Sequence, residues 1–257
     1  MIEVQNLTKV YKMNKKQMAQ NKSKDKTKIA ANKVSFTANK GEIFGLLGPN
    51  GAGKTTTLRC ISTLIKPTEG SVMVNGKDNQ KESMFARQNI AFLTNELKLD
   101  AHFTPEYTME FFGNLYGLSN DVIKDRREEL FRAFGIDEFR HVKIGEMSTG
   151  MKQKLSIAVS LVHDPDVVIF DEPTNGLDII TARQVTEYLK KLRDQGKAVI
   201  VSTHIMTVAE KLCDRIAIII DGEIRAYGPI ESIIKEQSSN DLEDAFFNIY
   251  SSIKGEV

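Results

Sequence analysis

Residues 48–55, Gly-Pro-Asn-Gly-Ala-Gly-Lys-Thr, constrain this chain more than any other stretch. They fit the spacing Gly-x4-Gly-Lys-Ser/Thr. They also stand between a strand-like run, Ile43–Leu47, and a helical pattern over Thr55–Leu64, which is the context that spacing requires. Each part has a physical task. Gly48, Gly51 and Gly53 permit a turn whose backbone amides converge on phosphate oxygens. The helix that follows points its positive end at the same oxygens. Lys54 can reach the β- and γ-phosphates, and the Thr55 hydroxyl can ligate Mg2+. Pro49, Asn50, Ala52 and Thr56 complete the expected phosphate-binding stretch.

Two further strand ends supply the chemistry that such a loop needs. Val167-Val168-Ile169-Phe170 is a short apolar run followed directly by Asp171-Glu172-Pro173. In open α/β sheets, ligands sit beyond the carboxyl ends of the strands. That places Asp171 to hold Mg2+ and Glu172 to take a proton from an attacking water. Ala198-Val199-Ile200-Val201-Ser202-Thr203 delivers His204 to the same edge, within reach of a γ-phosphate oxygen. His102, His141 and His163 are read as structural. Apolar strands alternate with helical patterns at Thr181–Leu192 and Met206–Leu212, which predicts a wound α/β core with right-handed crossovers.

Between these halves the pattern is helical from about Leu97 to Gly150. Thr104-Pro105-Glu106 reads as N-cap, first helical residue and acidic first turn. Tyr107, Phe111 and Leu115 recur at four-residue steps, and a second helix carries Ile123, Leu130, Phe131 and Phe134. All of these are assigned to the core on their spacing. The stretch Lys12 to Lys28 holds seven lysines and one acid, yet the whole chain carries only +1. That run is read as a solvated loop between two antiparallel strands. The near-neutral total gives no general reason to bind nucleic acid. Two distant cysteines, Cys60 and Cys213, point to a reduced compartment, and Met1–Val4 has no signal-peptide character. No apolar run approaches a membrane span.

Taken in order, the phosphate loop, the Asp-Glu strand end and the strand-end histidine resemble the ATPases of the ABC family. Met147-Ser148-Thr149-Gly150-Met151 before Lys152-Gln153-Lys154 resembles the family signature, usually Leu-Ser-Gly-Gly-Gln. Asn175-Gly176-Leu177-Asp178 is similar to the D-loop, and Tyr11 matches the aromatic that stacks on adenine. Within the family the chain most resembles ATPase subunits of the sodium-efflux and multidrug-export type, whose permeases are separate chains. Phe92-Leu93-Thr94 and Asp241-Leu242-Glu243-Asp244-Ala245-Phe246 support that narrower match.

The resemblance implies a RecA-like P-loop core with an N-terminal antiparallel β subdomain and an inserted helical subdomain. The core would comprise residues 1–96 and 151–230, the insertion 97–150 and a helical tail 231–257. It implies ATP and Mg2+ as cofactors. It also implies a head-to-tail dimer in which each ATP lies between Lys54 and Thr55 of one copy and Ser148 and Gly150 of the other, with Asp178 of the D-loop counted among the nucleotide-binding residues. An integral membrane permease would hold the pair at the cytoplasmic face of the membrane. Two positions depart from the pattern: Thr149 and Met151 replace a glycine and the glutamine of the signature, and Asn95 stands nearest the Q-loop glutamine expected beside Mg2+. A soluble ABC ATPase, a P-loop GTPase or kinase, and a non-catalytic regulatory subunit are the rival readings. A GTPase would need Asn-Lys-x-Asp, whereas Asn32-Lys33 continues as Val34-Ser35.

Overall fold

The computed structural model describes residues 1–13, 18, 25–93, 99–173 and 175–255. Among them, β1 (Ile2–Lys12), β2 (Thr27–Ala38), β4 (Glu69–Val74) and β5 (Lys77–Asp78) form an antiparallel sheet in the order β2-β1-β4-β5. The second sheet contains β3 (Glu42–Leu47), β6 (Ile90–Leu93), β7 (Val167–Asp171), β8 (Ala198–Thr203), β9 (Arg215–Ile220) and β10 (Glu223–Pro229). Its order is β10-β9-β3-β8-β7-β6, parallel except for the β10–β9 pair. This is the mixed architecture that the sequence implies, an α/β P-loop core joined to an antiparallel β unit.

Side chains alternate across a strand, so a strand buried on both faces feeds two cores. Ile43 and Leu47 of β3, Val168 and Phe170 of β7, and Val199 and Val201 of β8 face one apolar cluster. Phe44 and Leu46, Val167 and Ile169, and Ala198 and Ile200 face the other. The second cluster also takes Ile2, Val4 and Phe36 from the antiparallel sheet, and Leu58, Cys60 and Ile61 from α1 (Lys54–Ile61). That helix stops three residues before the end of its apolar pattern, because Thr63 adopts a left-handed φ of 63°.

The first cluster is covered by helices: α3 (Pro105–Leu115), α4 (Asn120–Phe134), α5 (Thr149–Ser160), α6 (Ile179–Asp194), α7 (Met206–Leu212), α8 (Ile230–Glu236) and α9 (Leu242–Lys254). The short α2 (Ser83–Asn89) precedes β6. Thr104 caps α3 by accepting from the Tyr107 amide at 3.3 Å, as its sequence position predicts. Ile123, Leu130, Phe131 and Phe134 of α4 are buried as expected.

The expectation for α3 is corrected. Tyr107 is 49% exposed, Phe111 41% and Leu115 67%, while the opposite side of the helix buries Thr108, Met109 and Gly113. A Cβ at Gly113 would lie 2.6 Å from Ile123, so α3 packs on α4 through its small residues and turns its aromatic stripe to solvent.

Candidate nucleotide site

The phosphate loop joins β3 to α1 where three strands end together. The Gly48 amide donates to the Thr203 carbonyl at 3.3 Å, which ties the loop to the end of β8. A Cβ at Gly48 would fall 2.2 Å from the Ile219 carbonyl oxygen. At Gly53, φ is +107° and a Cβ would lie 2.1 Å from the Ala30 carbonyl oxygen, so only glycine fits. Gly53 is the N-cap of α1, and no side chain caps that end. The leading amides of the helix are therefore open to an anion.

Lys54 is 5% exposed, and its Nζ donates to the carbonyls of Gly48 at 2.6 Å and Pro49 at 3.2 Å. Burial lowers its pKa, and the nearby Glu172 carboxylate, 3.6 Å away, works against that shift. Glu172 follows β7 with a left-handed φ of 57°, a costly backbone state for a side chain of its size. Its amide donates to the Ser202 carbonyl at 3.2 Å and to Ser202 Oγ at 3.1 Å. Its second carboxylate oxygen lies 2.9 Å from His204 Nδ1. The carboxylate thus stands between Lys54 and His204.

Ser202 is fully buried, and its hydroxyl also donates to Asp171 Oδ1. One serine therefore braces both acids. In sequence it reads only as part of an apolar strand, because its partners belong to the neighbouring β7.

A groove of about 300 Å3 runs along this edge. Tyr11, Lys28 and Ala30 of the antiparallel sheet line it together with Asn50, Gly51, Gly53, Lys54, Thr55 and Thr56 of the loop and α1, and Glu172. Gly48, Pro49 and Ala52 shape the loop without lining the groove; the Ala52 carbonyl accepts from the Gly222 amide at 2.9 Å. The ammonium of Lys9, bonded to the Lys66 carbonyl at 2.7 Å, sits 5.3 Å from the Tyr11 ring centre.

Ser148, Gly150 and Asp178 form a second cluster that does not line the groove. Ser148 caps α5, accepting from the Met151 amide at 3.2 Å. Asp178 caps α6, accepting from the amides of Ile180 and Thr181, both at 3.0 Å, and from the Thr181 hydroxyl at 2.7 Å. The Thr181 hydroxyl and these amides hold its carboxyl below the usual range. A Cβ at Gly150 would come within 3.9 Å of Asp178 Oδ2, so the two helix starts adjoin.

Asn95 lies outside the described residues, as does most of the lysine-rich run. Among the described residues, no group of three or more His, Cys, Asp or Glu can hold a metal ion. A divalent ion at this edge would have to be completed by phosphate oxygens and water, as Mg2+ sites commonly are. The Thr55 hydroxyl and the free oxygen of Asp171 fit that requirement. The other histidines lie elsewhere: His141 Nδ1 sits 3.2 Å from Glu106, and His163 stacks on Tyr116 at 3.8 Å.

A glycine turn on a helix start, a lysine within it and two acids at a neighbouring strand end define a nucleotide-hydrolysing cassette. The family model described as "ABC transporter" matches residues 31–175, and the chain belongs to that family and is an ATP-binding ATPase. It is 40% identical over 227 residues to the ABC transporter ATP-binding protein NatA of Bacillus subtilis, covering 87% of this chain and 92% of that one. It is 36% identical over 219 residues to the Nod factor export ATP-binding protein I of Burkholderia lata, covering 85% and 72%.

Among solved structures, an ATP-binding subunit of an ABC transporter superposes with a TM-score of 0.86 at 26% identity, covering 97% of this chain and 99% of that one. A dimeric post-hydrolysis cassette bound to ADP and Pi gives 0.76 at 28% identity, covering 89% and 98%. Among the described residues, no helix is long and apolar enough to cross a membrane.

Proposed function

We propose that the chain is the ATP-hydrolysing subunit of a transporter whose permease is a separate membrane protein, working in the direction of export. The observation that carries this reading is the Glu172 carboxylate, held between Lys54 and His204 and lining a groove that Tyr11 also lines.

In this reading Tyr11 stacks the adenine, and the amides of the loop from Gly48 to Thr56 cradle the phosphates. Lys54 leaves the Gly48 and Pro49 carbonyls for the β- and γ-oxygens. Glu172 accepts the proton of the attacking water. His204 fixes the Glu172 carboxylate and faces the γ-phosphate. Thr55, Asp171 and, by its place in sequence, Asn95 would hold Mg2+, which when bound would neutralise charge on the phosphoryl group.

Ser148 and Gly150, at the start of α5, and the adjacent Asp178 serve the groove of a second copy. The dimeric relative supports that pairing. Residues 97–150 are treated as the unit that carries this face, with 1–96 and 151–230 as the ATP-binding core and 231–257 as a tail. The exposed Tyr107, Phe111 and Leu115 receive the permease at the cytoplasmic face of the membrane. The similarity to the Nod factor export ATP-binding protein I supports export. Phosphate release by the purified chain, with its loss in Glu172→Gln while ATP binding persists, tests the reading.

A further inference from the structure

The groove contains a cation that the family resemblance does not account for. Lys28 lies directly across the β1–β2 ribbon from Tyr11. Opposed residues in an antiparallel pair project to the same face, so the lysine stands beside the aromatic ring, and both line the groove. Two residues further along β2, Ala30 also lines it and presses its carbonyl against Gly53, the N-cap of α1. Two residues of strand span roughly 6.6 Å. Lys28 therefore stands beside the aromatic ring, two residues along β2 from the strand position that touches the start of the phosphate cradle.

The charge at Lys28 is uncommitted. Lys54, the other lysine of the groove, is bonded to two loop carbonyls and faces Glu172. Lys28 is exposed and has no carboxylate within ion-pair reach among the described residues. Its flexible stem and three donors suit a point charge that closes on an anion when one arrives.

Resting on the ATP reading above, we infer that Lys28 binds the nucleotide at the ribose side of the phosphate chain. The contact is a charge-assisted hydrogen bond to the α-phosphate, supplied by the antiparallel sheet rather than by the phosphate loop. It tightens the bound nucleotide without touching the bond that breaks. Removing it should raise KM and leave kcat close to the wild-type value.

The test is ATP binding to the purified full chain by calorimetry in EDTA, repeated at low and high KCl, with turnover measured in Mg2+. The expected result is about a tenfold weaker Kd in both Lys28→Ala and Lys28→Gln, a flatter dependence on salt, and recovery to within about twofold in Lys28→Arg. Wild-type affinity and salt dependence in Lys28→Ala would overturn the inference. An equal loss in Lys28→Arg would overturn it too, by showing that the position matters for ribbon packing rather than charge. Lys54→Ala serves as the control: if the wild type and Lys54→Ala both fail to bind ATP, the ATP reading itself fails, whereas binding by the wild type with no effect at Lys28 sinks only this inference.

Discussion

Replacing Ser202 by alanine removes one hydroxyl that braces both acids of the site. The side chain is fully buried, so water cannot take its place. Its loss removes the bond donated to Asp171 and one of the two acceptors of the Glu172 amide. The amide keeps the Ser202 carbonyl at 3.2 Å and is not orphaned. The main cost is therefore the bond to a carboxylate, about 2 kcal/mol for a hydrogen bond to a charged group. For a chain of this size that corresponds to a melting shift of roughly 4–8 °C.

The catalytic cost should exceed the thermodynamic one. Glu172 is held at a left-handed φ of 57°, and the same serine helps pin it there. A displacement of about 1 Å at a reacting group can cost on the order of 100-fold in rate. Ser202→Ala should thus lower kcat by about 10- to 100-fold, while the ATP Kd stays within about threefold because the loop contacts of Lys54 are untouched. The assays are a thermal melt, ATP binding in EDTA and phosphate release over a Mg2+ titration. Wild-type kcat and Mg2+ dependence in a folded Ser202→Ala chain would refute the claim that this hydroxyl positions the two acids.

Two other predictions concern surfaces away from the groove. Tyr107→Ser with Phe111→Ser should leave ATP binding unchanged and lower the melt only modestly, since both rings are part-exposed yet touch Phe103 and Phe112, and should abolish co-purification with the permease from membranes; unfolding, or an undiminished pull-down, would count against docking there. Burial, aided by nearby Arg126, pushes the His163 imidazole from 6.5 down to about 4, so the unfolded chain binds the proton first as the pH falls. The stability lost on acidification from pH 6.5 to 5 through this group is about 1.6 kcal/mol, the slope rising from about half to nearly the full 1.4 kcal/mol per pH unit across that window. His163→Phe keeps a ring against Tyr116 and should show a shallower loss across that window in denaturant melts at each pH; an unchanged slope would remove His163 from the account.

The features legible in sequence are those written in consecutive residues. The loop from Gly48 to Thr55 requires glycines at fixed offsets, and the two strand ends follow runs too apolar to lie at a surface. Thr104 stands where a helix start needs an acceptor, and it accepts a backbone amide. Features that depend on pairing between distant strands were not legible. Ser202 braces acids 31 and 30 residues away, and Lys28 gains meaning only from its register with Tyr11. The stripe on α3 fails for a third reason. Four-residue spacing says that Tyr107, Phe111 and Leu115 share a face, but not what covers it. The close approach of Gly113 to Ile123 turns the other side of the helix inward.

The central claim is that this groove hydrolyses ATP and is completed by a second copy of the chain. The most direct measurement follows phosphate release and molar mass together, by a coupled assay and light scattering, on wild type, Glu172→Gln and Lys54→Ala in Mg-ATP. The account predicts turnover in the wild type, a fall of about 100-fold or more in Glu172→Gln with ATP still bound, and no binding in Lys54→Ala. It also predicts that Glu172→Gln, unable to discharge its ATP, shifts from monomer to dimer, and that adding Ser148→Arg blocks the shift. Full turnover in Glu172→Gln, or a monomer at saturating ATP with the permease present, would contradict it.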